Sequence, residues 1–186
     1  MRETNHAPGR LELVREFVNT LDVEEGTDEL DDPVRAADWL RAHELEDCKR
    51  LTAGERERLV SIREALRELL LANNTGEPAP EAALAALNQG AEGVRLGLRF
   101  EPGGATLHSS GKGVDAALAE VLAVIHASMR DGSWERLKVC PAPDCLWAFY
   151  DRSRNRSATW CRMGECGNRN KARAFRARRR GRSGPA

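Results

Sequence analysis

Residues 140–180 read CPAPDCLWAFYDRSRNRSATWCRMGECGNRNKARAFRARRR, and they hold four of the five cysteines of a 186-residue chain. Four residues separate Cys140 from Cys145, fifteen separate Cys145 from Cys161, and four separate Cys161 from Cys166. Two close pairs joined by one longer loop let four thiolates take the corners of a tetrahedron around a single zinc ion. Two disulfides would use the same cysteines but need an oxidising compartment, and the opening MRETNHAPGR lacks the apolar stretch of a signal peptide. Iron also suits four thiolates. Four protein ligands leave no open coordination position, so the ion is expected to be structural and not catalytic.

Within this stretch, Cys140 to Cys145 reads as a tight knuckle. Leu146–Asp151 alternates, with Trp147 and Phe149 on one face and Leu146, Ala148 and Tyr150 on the other, as in a short strand. Arg152–Ser157 is turn-like, Ala158–Trp160 is expected to pair back onto that strand, and a helix is expected from Asn168 to about Arg180. Knuckle, hairpin and helix in that order resemble a treble clef. The last cysteine pair then lies at a helix N-terminus, whose partial positive charge favours thiolates. Arg169, Arg173, Arg176 and Arg180 follow at steps of four, three and four, a row of guanidinium groups along one helix face, with Lys171 on the same helix. Ala172 and Phe175 lie on another face, and Phe175 is expected to dock the helix on the aromatic hairpin. Arg152, Arg154 and Arg156 in the turn form a second basic surface. A polyanion such as nucleic acid would relieve the repulsion along the row. Plain solvation is the simpler reading of Arg178–Arg182, and core packing the simpler reading of the tryptophans and Phe149.

Outward from this module the charge reverses. Residues 1–135 carry 15 Lys and Arg against 26 Asp and Glu, a net −11, while residues 136–186 carry 14 against 3, a net +11. An acidic body with a basic tip is expected where only the tip approaches a polyanion, or where the two parts attract one another. There is no apolar run long enough for a membrane span, no nucleophile with a recognisable base, and no glycine loop for phosphate, so neither a membrane protein nor an enzyme is expected. Cys48 is isolated, and His108 and His126 read as packing or surface residues.

The body reads as mainly helical. Residues 1–10 are a loose lead-in. Leu11, Val14, Val18 and Leu21 make one helical face, with Phe17 beside it, before the acidic run from Asp22 to Asp32. Asp32-Pro33 is a cap followed by proline at the first helical position, with Val34, Ala37 and Leu40 as the stripe, Trp39 at its edge and an end near His43. Thr52 to Glu55 has the form of a capping box, and Leu59, Ile62, Leu66 and Leu69 follow until Asn73-Asn74-Thr75-Gly76. Pro80–Asn88 is a short helix. Val94, Leu96, Leu98 and Phe100 alternate as a strand that Ala105–His108 can join in a hairpin. Leu118, Val121, Leu122, Ile125 and Met129 form a last helical stripe, closed at Asp131-Gly132-Ser133. Packing around Trp134 and Leu137 is expected to fix the body against the module. The fold class is therefore α+β, mainly α. The lead-in spans residues 1–10, a helical domain with a small hairpin spans 11–135, a four-cysteine module ending in a basic helix spans 136–182, and a disordered tail spans 183–186.

The segment from Trp160-Cys161 to Arg180, centred on Cys166-Gly167-Asn168-Arg169, resembles the CGNR zinc finger, as do Phe149-Tyr150-Asp151 and Ser153-Arg154-Asn155 before it. Phe17-Val18-Asn19-Thr20-Leu21-Asp22 is similar to the opening of the ABATE domain that usually precedes that finger. The resemblance implies a bacterial, stress-linked transcription regulator, cytoplasmic, with Cys140, Cys145, Cys161 and Cys166 as zinc ligands and the basic helix on DNA. Asn19 and Thr20 are candidates for an effector pocket, although a polar pair ending a helix more often caps it or fixes the next loop. RNA and an acidic protein are the alternative partners to DNA. Oligomeric state has no signal in the sequence.

Overall fold

The computed structural model describes residues 5–182, with side chains as far as Arg178. The tail read over 183–186 and the side chain of Arg180 lie outside the described residues. Helices dominate and the strands form three separate two-stranded ribbons.

Helix α1 (Leu11–Val18) stops earlier than its apolar spacing suggests. Leu21 instead starts the two-residue strand β1 (Leu21–Asp22), which pairs antiparallel with β2 (Thr27–Asp28). The acidic run is thereby ordered: Asp22 Oδ1 accepts from the amides of Glu24 and Glu25, and Asp28 Oδ1 accepts from Leu30. Asp32 then accepts from Val34 and Arg35 and starts helix α2 (Pro33–Ala42). This helix turns Ala36, Ala37, Trp39 and Leu40 inward and leaves Val34 exposed, so its buried face is rotated from the expected stripe.

Helix α3 (Ala53–Thr75) is the central element. Its capping box is complete and Gly76, with φ +76°, ends it in the left-handed conformation that glycine adopts without strain. Helix α4 (Glu81–Gly90) lies against it, and a Cβ at Gly90 would meet Ile62 Cγ1 at 2.5 Å, so only glycine allows this approach. Strands β3 (Leu96–Glu101) and β4 (Gly104–Ser109) form the expected hairpin, in register Leu98 to Leu107. The alternation sets the strand but not its burial: Leu98 and Phe100 are 64% and 81% exposed. Helix α5 (Val114–Asp131) closes the body, with Met129 exposed at the end of its stripe.

The core does not stop where the charge reverses. Trp134, Leu137, Val139 and Ala148 belong to the same buried cluster as Phe17, Leu40, Ile62, Leu66 and Leu118. Strand β5 (Leu137–Val139) pairs antiparallel with β6 (Ala148–Tyr150), and the knuckle is the loop between them. Leu146, Ala148 and Tyr150 face the body core, while Trp147 and Phe149 face a second cluster built around the cysteines, as the alternation predicts. The partner of β6 is β5, however, and not Ala158–Trp160. The lead-in is anchored from Asn5 onward, where the Asn5 carbonyl accepts from the Tyr150 amide and Asn5 Nδ2 donates to the Cys161 carbonyl at 2.9 Å.

Candidate metal centre and nucleic-acid interface

The four cysteines are brought together by three local devices. Cys140 directly follows β5 and Cys145 closes the knuckle, its amide bonded to the Ala142 carbonyl at 2.9 Å. Leu146 follows at φ +49°, a left-handed position for a branched side chain, and Arg67 of α3 holds its carbonyl at 2.7 Å. Cys161 precedes, and Cys166 lies in, a single π-type turn (Met163–Gly167) that leads into helix α6 (Asn168–Arg182).

All four sulfurs are buried and lie within 4.8 Å of one another, with Cys145 to Cys161 at 3.5 Å and Cys161 to Cys166 at 3.6 Å. A tetrahedral zinc site with Zn–S bonds of about 2.3 Å sets its sulfurs about 3.8 Å apart, whereas a disulfide needs about 2.05 Å. The cysteines are free, and their spacing fits one shared ion. Crowding also splits the thiols. Hydrogen bonds from Cys145 and Cys161 draw Cys140 down to about 4, while its proximity pushes Cys145 and Cys161 up. A dication removes that conflict by neutralising the set together.

Cys166-Gly167-Asn168-Arg169 completes the turn, one residue per task. Cys166 supplies the last sulfur. A Cβ on Gly167 would stand 2.5 Å from Met163 Sδ and 3.1 Å from Trp160 Cδ1. Asn168 Nδ2 donates to the Gly164 carbonyl at 2.9 Å, closing the turn. Arg169 Nη2 donates to Cys166 Sγ at 3.2 Å, while Nη1 reaches Glu24 of the body at 2.6 Å.

The module is clamped to the body by side chains reading its backbone. Asn19 exchanges two hydrogen bonds with Ala148, at 2.9 and 2.7 Å, as a neighbouring strand would. Asn73 Nδ2 donates to Trp134 and Leu137 carbonyls, and Asn74 Nδ2 to those of Val139 and Thr159. Buried Lys138 is bonded to Asp151 at 2.8 Å and to the Arg156 and Ala158 carbonyls, which folds the loop before Cys161. Sequence reasoning read Asn73 and Asn74 only as a helix stop. Their amides look like any helix end until β5 is placed beside them.

Residues 11–131 match the family model ABATE, described as a putative stress-induced transcription regulator. The chain belongs to the ABATE family. Residues 136–179 match the CGNR zinc finger, which makes zinc the ion for the four thiolates. No match is found among curated proteins. Neither the ABATE body nor the CGNR finger is described as enzymatic. No helix among the described residues is long and apolar enough to cross a membrane.

The basic residues divide into two groups. Arg169 is tied to Cys166 and Glu24, and Arg173 makes two bonds to Asp144, at 3.1 and 2.6 Å. Arg152 donates to the His6 carbonyl and Arg156 to Glu135. Arg154 and Lys171 are exposed, Arg178 likewise, and among the described residues Arg176 donates only to the Ala172 carbonyl of its own helix. Phe175 is 56% exposed, so it does not bury itself on the aromatic hairpin as expected, and every described position from Lys171 to Arg178 faces solvent. From Lys171 onward α6 offers no apolar stripe wide enough to bury.

Asn19 has its polar atoms engaged by Ala148 of the finger, and Thr20 has its hydroxyl engaged inside the ABATE body. Thr20 is 2% exposed, donates to the Phe17 carbonyl and accepts from Arg63 at 3.2 Å. The cleft of about 740 Å³ between the β3–β4 hairpin and α5 is lined by Leu98, Leu107, Val124 and His126, and neither Asn19 nor Thr20 reaches it. Asn19 thus serves the junction with the finger, and Thr20 the packing of α1 against α3.

Proposed function

We propose that this ABATE protein is a transcription regulator that binds duplex DNA through α6, with the zinc module as its mount. The observation that carries the reading is a helix whose positions from Lys171 to Arg178 are all exposed, at the end of a clamped module. Residues 168–182 contain eight Lys and Arg and no Asp or Glu. Such a helix gains little from packing and loses stability to repulsion among its own charges, both of which a polyanion reverses. A helix of about 10–12 Å diameter fits the major groove of B-DNA, about 12 Å wide, whereas the deep, narrow groove of A-form RNA does not admit it. Arg154, Lys171, Arg176 and Arg178 are the contacts favoured by their exposure, and Arg180 continues the row of Arg173 and Arg176 by spacing. Bound zinc supplies no chemistry beyond holding four thiolates in place. Cys161 and Cys166 fix the first turn of α6, and Asn19, Arg67, Asn73 and Asn74 fix the finger to the body. A regulator of this kind works in the reducing cytoplasm, where its thiolates stay available to the metal.

The test is fluorescence anisotropy of a labelled duplex across a salt series, with zinc-loaded and with chelated protein. The expected result is binding that weakens steeply with salt and is lost when the metal is removed. Absence of binding at low salt overturns the reading and turns the search to single-stranded or folded RNA and then to an acidic protein.

A further inference from the structure

Two of the arginines at the start of α6 already hold carboxylates from elsewhere in the chain. Arg169 meets Glu24, in the acidic turn between β1 and β2, at 2.6 Å. Arg173, one helical turn on, meets Asp144 of the knuckle at 2.6 Å, and Asp144 also lies 3.8 Å from Arg169. The fork of a guanidinium donates to a carboxylate and to a phosphate in the same two-bond geometry, and Arg173 meets Asp144 in that way, at 3.1 and 2.6 Å.

We propose that Glu24 and Asp144 form an internal phosphate mimic, a carboxylate latch that holds the first turns of α6 and competes with an incoming polyanion for Arg173. The inference rests on the reading of α6 as a polyanion-binding helix. The two pairs are not equivalent. Arg169 is also bonded to Cys166 Sγ and keeps its place, which makes it a positioning residue between the metal ligands and the body. Arg173 has no bond to the metal ligands, its side chain is 43% exposed, and its partner Asp144 is 39% exposed, so exchange for a phosphate needs no rearrangement of the finger. Among the described residues, Arg176 makes no ion pair and, three residues on from Arg173, lies on the same side of the helix, so it is placed for first contact, with Arg173 recruited as the latch opens. The device sets a threshold: weak or isolated anions do not displace Asp144, whereas an extended row of phosphates does.

The test compares zinc-loaded full-length protein with its Asp144→Asn and Glu24→Gln variants, by salt elution from immobilised heparin and by titration of a labelled DNA duplex. Zinc content is measured in parallel. Opening the latch in Asp144→Asn is expected to tighten binding by about three- to fivefold and to steepen the log–log salt slope by about one. Glu24→Gln, remote in sequence from the cysteines, is expected to act in the same direction but less, and it decides the matter if Asp144→Asn holds less zinc. Tighter heparin retention of the variants with no DNA binding by any of the proteins upholds the latch and overturns the DNA reading. Unchanged or weaker retention overturns the latch, because the carboxylates then brace the helix without competing for it.

Discussion

Helices α3 and α6 are both rich in arginine, and the chain uses the residue in opposite ways in the two. On α3, Arg63 and Arg67 are 2% and 4% exposed, and every contact they make is internal. Arg63 grips both oxygens of Asp28, at 2.6 and 3.0 Å. Arg67 bonds the carbonyls of Val18 and Leu146, each at 2.7 Å, and so joins the end of α1 to the zinc knuckle. On α6, Arg173, Arg176 and Arg178 are exposed, and Arg173 holds its acidic partner at the surface. A buried arginine is stable only when its donors are satisfied, so it specifies architecture; an exposed one keeps its donors for something else. Burial, and not residue type, separates the scaffold from the candidate interface.

The sharpest way to break this contrast is Arg67→Met. It removes the bonds to two buried carbonyls and unpairs the clamp, and should lower unfolding free energy by about 3 kcal/mol in urea denaturation. A loss under about 1 kcal/mol would show that the body and finger do not depend on this residue.

Acid offers a smaller effect. Asp28 and Asp151 are held below the usual carboxylate range even though burial opposes it, because Arg63 and Lys138 respectively hydrogen bond their charged forms. A lowered folded value means that each charge favours the native state above the ordinary carboxylate pKa, near 4, and that this contribution disappears as pH falls through the lower folded value. Stability should therefore be level above about pH 5 and fall by about 1–2 kcal/mol towards pH 3, with the fall reduced in Asp28→Asn. A midpoint independent of pH over that window would contradict the role given to these two pairs.

Much of this was legible in the sequence where the controlling forces are local. The capping box at Thr52, the Asp32-Pro33 start, the left-handed stop at Gly76 and the face alternation of Leu146–Tyr150 depend on neighbours a few residues away. The four-cysteine cluster was legible because metal geometry constrains ligand spacing. What stayed hidden depends on distant partners. The strand partner of β6, the Asn19 clamp across 129 residues and the Arg169–Glu24 pair across 145 have no local signature. The extent of burial was hidden for the same reason. Val34, Met129 and Phe175 sit in apolar positions of their helices and are still 42%, 51% and 56% exposed.

The account turns on α6 being an interface and not a support, and one comparison tests that directly. Lys171, Arg176 and Arg178 are exposed, so replacing all three with alanine should leave the denaturation midpoint and the zinc content unchanged. The same variant should lose duplex affinity and show a log–log salt slope shallower by about three, one contact for each cation removed. An unaltered slope would mean that DNA does not meet these residues of the helix, and a fallen midpoint would mean that they belong to the scaffold after all.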